Sequence, residues 1–226
     1  MSRIAIPRPV EGVAAIGATA VAFAVLATLV AVGALAAIDQ YAVDHWMPNF
    51  ELSSGSHSRS LAHQFYPHLG PPLQVFCNLW TFPASAFVSG AVVAACCMAL
   101  VRRGQPAAGL TWGGAWITAN VTEVIGKLVV HRPPLHAVEA GMRASFDSFG
   151  HSFPSGHALR AVLTATVLVT VWKRAARPAL LWTAVALAAL VVSAAHTPSD
   201  VLGGVLLALL TILVARTFLR TRAVAA

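Results

Sequence analysis

The sequence predicts an all-α fold: a bundle of six membrane-spanning helices with an active site at its outer, extracytoplasmic edge. Three observations carry this. Of 226 residues, 58% are hydrophobic and only 10% are charged, where a soluble domain carries roughly a quarter. The apolar residues fall in runs long enough to cross a bilayer. The basic residues fall in short groups between those runs.

The first run covers about 13–37 and holds no charge between Glu11 and Asp39. It is about twice as long as the hydrophobic part of a signal peptide, so an uncleaved span is expected. The others cover about 73–101, 107–129, 155–172, 179–195 and 199–218. Helices are the default because lipid offers backbone polar groups no partner. The length fits one domain, 1–226. The polar stretch 51–60 reads as a mobile outer loop.

The net charge is +7 and the pI about 10.4, which raises nucleic acid as a partner. The distribution argues against it. Arg3 and Arg8, Arg102 and Arg103, Lys173, Arg174 and Arg177, and Arg216, Arg220 and Arg222 form the interspersed clusters of cytoplasmic loops. With the N-terminus inside, these are ten of the 15 Lys and Arg residues. All nine histidines then fall on or beside the outer face: His45, His57, His63, His68, His131, His136, His151, His157 and His196. Asp39, Asp44, Glu51, Glu139, Asp147 and Asp200 gather there too. Cys77, Cys96 and Cys97 lack metal-ligand spacing and read as small packing residues.

Phe153-Pro154-Ser155-Gly156-His157 opens the fourth span. Proline, serine and glycine suit a helix start, whose free N–H groups and dipole bind phosphate. Glycine admits a ligand close to the backbone, and His157 stands beside it to exchange a proton. Chance produces Pro-Ser-Gly-His in such a chain with odds on the order of one in a thousand. His196-Thr197-Pro198-Ser199-Asp200 lies between the last two spans. A lone His-x3-Asp is weak, but ionisable groups at membrane depth are functional candidates. An Asp on one ring nitrogen leaves the other free as a nucleophile. Lys127 and His131-Arg132-Pro133-Pro134 end the third span. These cations suit phosphate oxygens, or they snorkel toward headgroups. Asn120, Glu123 and Lys127 share one helical face, so Glu123 can pair with Lys127.

Together these segments resemble the type 2 phosphatidic acid phosphatases, a superfamily that shares its active site with vanadium haloperoxidases. The family pattern is Lys-x6-Arg-Pro, Pro-Ser-Gly-His, then Ser-Arg-x5-His-x3-Asp, and the resemblance covers about 73–218. It implies a metal-free, cofactor-free lipid phosphate phosphatase in a bacterial plasma membrane. In that reading His196 attacks phosphorus, Asp200 orients it, and His157 serves the leaving oxygen and then water. Lys127, Ser155 and Gly156 hold the phosphate. The partners implied are a lipid phosphate and membrane lipid.

Two positions depart from the family. Six residues after Lys127 the expected arginine position holds Pro134, and Arg132 comes two residues early. The Ser-Arg pair before His196 falls on Ala189-Leu190. Each missing guanidinium removes bidentate stabilisation of transition-state charge. Arg132 and Arg160 are the candidate replacements as phosphate contacts. Arg160 alternatively pairs with Glu123 or Asp147. Competing functions are a catalytically weakened lipid-phosphate binder and a small transporter. Transporters place charge at the midplane, whereas here it gathers at one edge.

Overall fold

A computed structural model of the chain describes residues 9–47, 70–139, 142–146 and 149–225. The expected loop 51–60, Glu51, His57, His63, His68, Asp147, Arg3 and Arg8 lie outside the described residues. So do the side chains of His136, Glu139 and Arg143.

The chain is predominantly helical. Helix α1 (Pro9–Ala31) ends where Gly33 takes φ +75°, and α2 (Ala36–Trp46) follows at once. The first apolar run is thus a helix and a break, and its last residues begin a second helix. A Cβ at Gly33 would lie 2.8 Å from Pro133 Cγ, so the break is also where the chain beyond the third span packs closely. Helix α3 (Gly70–Thr81), a 3-10 turn (Phe82–Ala84) and α4 (Ala86–Arg102) replace the second continuous run. The two helices meet at 42°. Pro83 cannot donate to a continuing helix, and Ser85 caps α4 by accepting from the Val88 N–H at 3.5 Å.

Helix α5 covers Pro106–Val129. After it, Leu135–Glu139 (β1) and Met142–Phe146 (β2) pair antiparallel, from Leu135 opposite Phe146 to Glu139 opposite Met142. The all-α expectation holds for the bundle, and this short hairpin lies within the connection 130–154, which the sequence leaves without regular structure. Helices α6 (Gly156–Val171), α7 (Ala176–Val192) and α8 (Pro198–Ala225) complete the chain. Cys77, Cys96 and Cys97 are free thiols; Cys77 and Cys96 are buried.

Among the described residues, three helices are long and apolar enough to cross a membrane: Gly12–Ala31, Lys173–Val192 and Pro198–Ala223. The bent α3–α4 pair makes a fourth if taken as one span. Helix α6 has only 16 residues, and α5 is diluted by glycines, Asn120, Glu123 and Lys127. The reason is positional. Leu159, Leu163 and Val167 of α6 are fully buried against Val93, Cys96, Leu100, Trp112, Leu207 and Ile212 from α4, α5 and α8. Phe87, Leu110, Leu180 and Leu128 point outward and are largely exposed, as an integral membrane protein requires of its lipid-facing surface.

Candidate active site

The first turn of α6 is held from three sides. Ser155 caps it, accepting from the Ala158 N–H at 3.2 Å, while the Ser155 N–H donates to the Asp200 carbonyl at 2.9 Å. Helix α8 approaches through Gly203 and Gly204: a Cβ on Gly203 would meet the Phe153 ring, and one on Gly204 would meet Ser155 O and Ala158 Cβ. Helix α5 approaches through Gly126, where a Cβ would lie 2.6 Å from Pro154 Cδ. The turn before His157 is therefore wedged between the two helices that carry the other candidate residues.

His196 sits two residues ahead of α8, and its ring centroid is 6.3 Å from that of His157, with the planes tilted by 53°. His196 is buried and His157 half-buried. One small group between them can touch both rings. His196 Nδ1 lies 3.6 Å from Asp200 Oδ2, an ion-pair separation just beyond hydrogen bonding. Thr197-Pro198-Ser199-Asp200 forms a capping box. The Thr197 N–H donates to Asp200 Oδ2 at 3.1 Å, and the Asp200 N–H reaches Thr197 Oγ1 at 3.4 Å. The Asp that flanks His196 thus also starts the helix.

Asp200 is fully buried, and both its oxygens are occupied. Oδ2 also accepts from Ser152 Oγ at 2.7 Å, and Oδ1 accepts from Arg132 Nη2 at 3.1 Å. The same Nη2 donates to Ser199 Oγ at 2.6 Å and stands 3.2 Å from Asp39 Oδ2. Asp39, on α2, accepts from the Ser199 N–H at 3.1 Å and from Ser199 Oγ at 2.6 Å. Arg132 therefore bridges two buried carboxylates through one nitrogen. Its Nε and Nη1 are buried without a hydrogen-bond partner among the described residues.

A second ionic cluster borders the other side of α6. Lys127 Nζ is 2.6 Å from Glu123 Oε1, and Arg160 Nη1 is 3.8 Å from Glu123 Oε2. Arg160 also donates to Asn120 Oδ1 and the Ala84 carbonyl, each at 2.9 Å. Of the alternatives open to Arg160, its contacts here include Glu123. A Cβ on Gly156 would lie 2.6 Å from Glu123 Oε1, so a carboxylate already rests against this helix start. His157 lies within electrostatic reach of Lys127, Arg160 and His196.

The geometry thus assembles His157, His196, Asp200, Ser155, Gly156, Lys127, Arg160 and Arg132 around α6. It adds Asp39, Ser152 and Ser199, which the sequence reading did not place in the site. In the sequence Ser199 stands only as part of the motif His196–Asp200, and Asp39 only as an acidic residue flanking a span. His131 and His151 stack edge to face 4.4 Å apart on an exposed rim, and His45 stacks on Tyr41. Among the described residues no group of three or more His, Cys, Asp or Glu could hold a metal ion.

The PAP2 superfamily profile matches residues 108–223, over half of the chain. This chain belongs to the PAP2 superfamily. Its fold resembles that of a transmembrane PAP2-type phosphatidylglycerolphosphate phosphatase from Bacillus subtilis, with a TM-score of 0.63 and 19% identity over 91% of this chain and 96% of that one. No curated protein sequence matches. The PAP2 match takes in Lys127, Arg132, His157, His196 and Asp200 but stops short of Asp39. Where the PAP2 pattern expects its last arginine, Leu190 is a buried packing residue whose carbonyl accepts the His196 N–H at 3.1 Å.

Proposed function

We propose that this PAP2 protein is a lipid phosphatase that hydrolyses a phosphomonoester or diphosphate of a membrane lipid through a phosphohistidine. The observation that carries this reading is the facing pair His157 and His196 at the N-terminus of α6, flanked by Lys127 and Arg160. His196 Nε2 attacks phosphorus and the bond to the lipid oxygen breaks, with His157 giving that oxygen its proton. Water then attacks the phosphohistidine, His157 takes its proton, and the P–N bond breaks to release phosphate. Lys127, Ser155, the Gly156 N–H and Arg160 contact the phosphoryl oxygens. Arg132 offers Nε and Nη1, the donors its carboxylate partners leave unused. Charge spread over the oxygens in transfer is stabilised by these fixed donors.

Asp39 is a positioning residue in this scheme. It holds Arg132 and Ser199, and through Arg132 it fixes the carboxylate beside His196.

The bundle crosses the membrane six times, with both termini inside and the histidines outside. The interspersed basic clusters support this topology. A cysteine at His45 is then labelled by an impermeant maleimide in intact cells, and one at Arg174 only after the membrane is breached; the reverse pattern overturns it.

The decisive experiment is phosphate release by purified protein from phosphatidate, phosphatidylglycerophosphate, polyprenyl diphosphate and a phosphorylated prenyl sugar, with and without chelator. Activity that survives chelator and is lost in His196→Ala is the expected result. Activity lost in chelator and restored by a divalent metal refutes the metal-free scheme. The missing guanidinium at Leu190 favours a second reading, a lipid-phosphate binder with weakened catalysis. It prevails if wild type and His196→Ala bind these lipids and neither releases phosphate.

A further inference from the structure

At the end of the bundle away from the histidines lies a groove of about 730 Å³, within the size range of ligand sites. Helix α6 forms its floor with Val162, Ala165, Thr166, Val169 and Thr170, a stripe at helical spacing. Helices α7 and α8 form its walls. Both pack on α6 but meet each other only slightly, which leaves the furrow between them open. The alanines on the α6 and α7 sides, Ala165, Ala176 and Ala179, do not fill it.

The surfaces of this furrow are apolar despite their threonines. Thr166, Thr170 and Thr183 donate to the carbonyls of Val162, Thr166 and Ala179, at 2.9, 2.9 and 2.8 Å. Their hydroxyls are satisfied within their own helices. The polar ends of the furrow are Lys173 and Arg216, both exposed. Each lies 16 residues after a catalytic-edge residue, His157 and Asp200 respectively, or about 24 Å along a helix at 1.5 Å per residue. The two cations therefore sit at one depth, near the opposite boundary of a hydrocarbon core about 30 Å thick.

Neither side chain forms an ion pair or hydrogen bond among the described residues. Arg103 at the same end is engaged, donating to the Val171 carbonyl at 2.7 Å and lying over the Trp172 ring. No Asp or Glu occurs from 148 to 199 or after Asp200, so the last three helices supply no counter-charge at this end.

We propose that this furrow is a binding site for one anionic phospholipid in the leaflet opposite the catalytic edge. An acyl chain lies along the α6 stripe, and Lys173 and Arg216 hold the headgroup phosphate. Basic pockets between membrane helices at the cytoplasmic side recognise anionic headgroups in this way. The lipid here is a resident ligand, distinct from any lipid processed at the histidines.

Native mass spectrometry of the full chain in detergent, with equal phosphatidylglycerol and phosphatidylcholine, tests this. One phosphatidylglycerol per chain is expected, in about fivefold or greater excess over phosphatidylcholine. Lys173→Gln/Arg216→Gln brings the two lipids to parity, and Thr166→Trp, which fills the furrow, removes both. Lys127→Gln, at the catalytic edge, leaves retention unchanged. Equal retention of both lipids by wild type overturns the proposal, as does an undiminished preference in the double variant. Loss in Lys127→Gln alone would move the lipid to the catalytic edge. A dimer that Thr166→Trp dissolves would give the furrow to a second copy of the chain.

Discussion

Two ionic clusters flank α6, built from the same kinds of residue and solvated oppositely. In one, Asp39 and Asp200 share Arg132, with side-chain exposures of 3%, 0% and 4%. In the other, Lys127 and Arg160 share Glu123, and Lys127 remains 35% exposed. The first has two carboxylates on one cation, and each carboxylate is bonded on both oxygens. The second has two cations on one carboxylate and opens to solvent at Lys127. Formal charge and access both differ: the first cluster carries one net negative charge and is closed, and the second carries one net positive charge and is open at Lys127.

The comparison breaks most sharply at His196, which touches the first cluster through Asp200 but carries none of its bridging bonds. His196→Ala abolishes turnover while both clusters persist, and it sets the zero of a phosphate-release assay. Arg132→Ala comes next. It strands two buried carboxylates and costs about 3–5 kcal/mol of stability, read as a fall in Tm together with lost turnover. If Arg132→Ala keeps its Tm, the first cluster is not what holds the site.

Arg160→Ala probes the second cluster. Turnover drops about tenfold or more, equivalent to about 1.4 kcal/mol. Turnover equal to wild type would remove Arg160 from the phosphate contacts. Asp39→Asn keeps the shape of its site but loses a charge. It lowers kcat about fivefold at constant KM, because it acts through Arg132 and Ser199 and not on the substrate. A raised KM with constant kcat would place Asp39 among the binding groups. Glu123→Gln has the smallest effect and the opposite sign: KM falls about threefold, since one negative charge leaves the neighbourhood of the phosphate. A rise in KM would mean that Glu123 chiefly holds Lys127 in place.

The second cluster was largely legible in the sequence, because Asn120, Glu123 and Lys127 follow one another at helical spacing and Arg160 follows His157 by one turn. The same holds for Ser155 and Gly156, whose residue types announce a helix start. The first cluster was not legible. Asp39 and Ser199 are separated by 160 positions, and no local pattern marks an Asp at the end of an apolar run as a partner of a distant helix. Arg132 was readable as a charge near the site but not as one already claimed by two carboxylates. Hydropathy likewise sees the length of a run and not a break within it, so Gly33 and Phe82–Ala84 divide runs that read as continuous. The hairpin at 135–146 escaped because two five-residue strands leave little periodicity in an otherwise helical chain.

Gly204 adds a consequence of its own. It has no side chain because the backbone of α6 occupies that space, with the Leu159 nitrogen 3.1 Å from where a Cβ would stand. The spacing of His157 from His196 is therefore gauged by an atom that is missing. A single methyl there would pry the two helices apart and leave every reacting group in the chain intact. A relative that keeps all its histidines but carries alanine at this position would not hold them at this spacing, and reading its histidines alone would not reveal it.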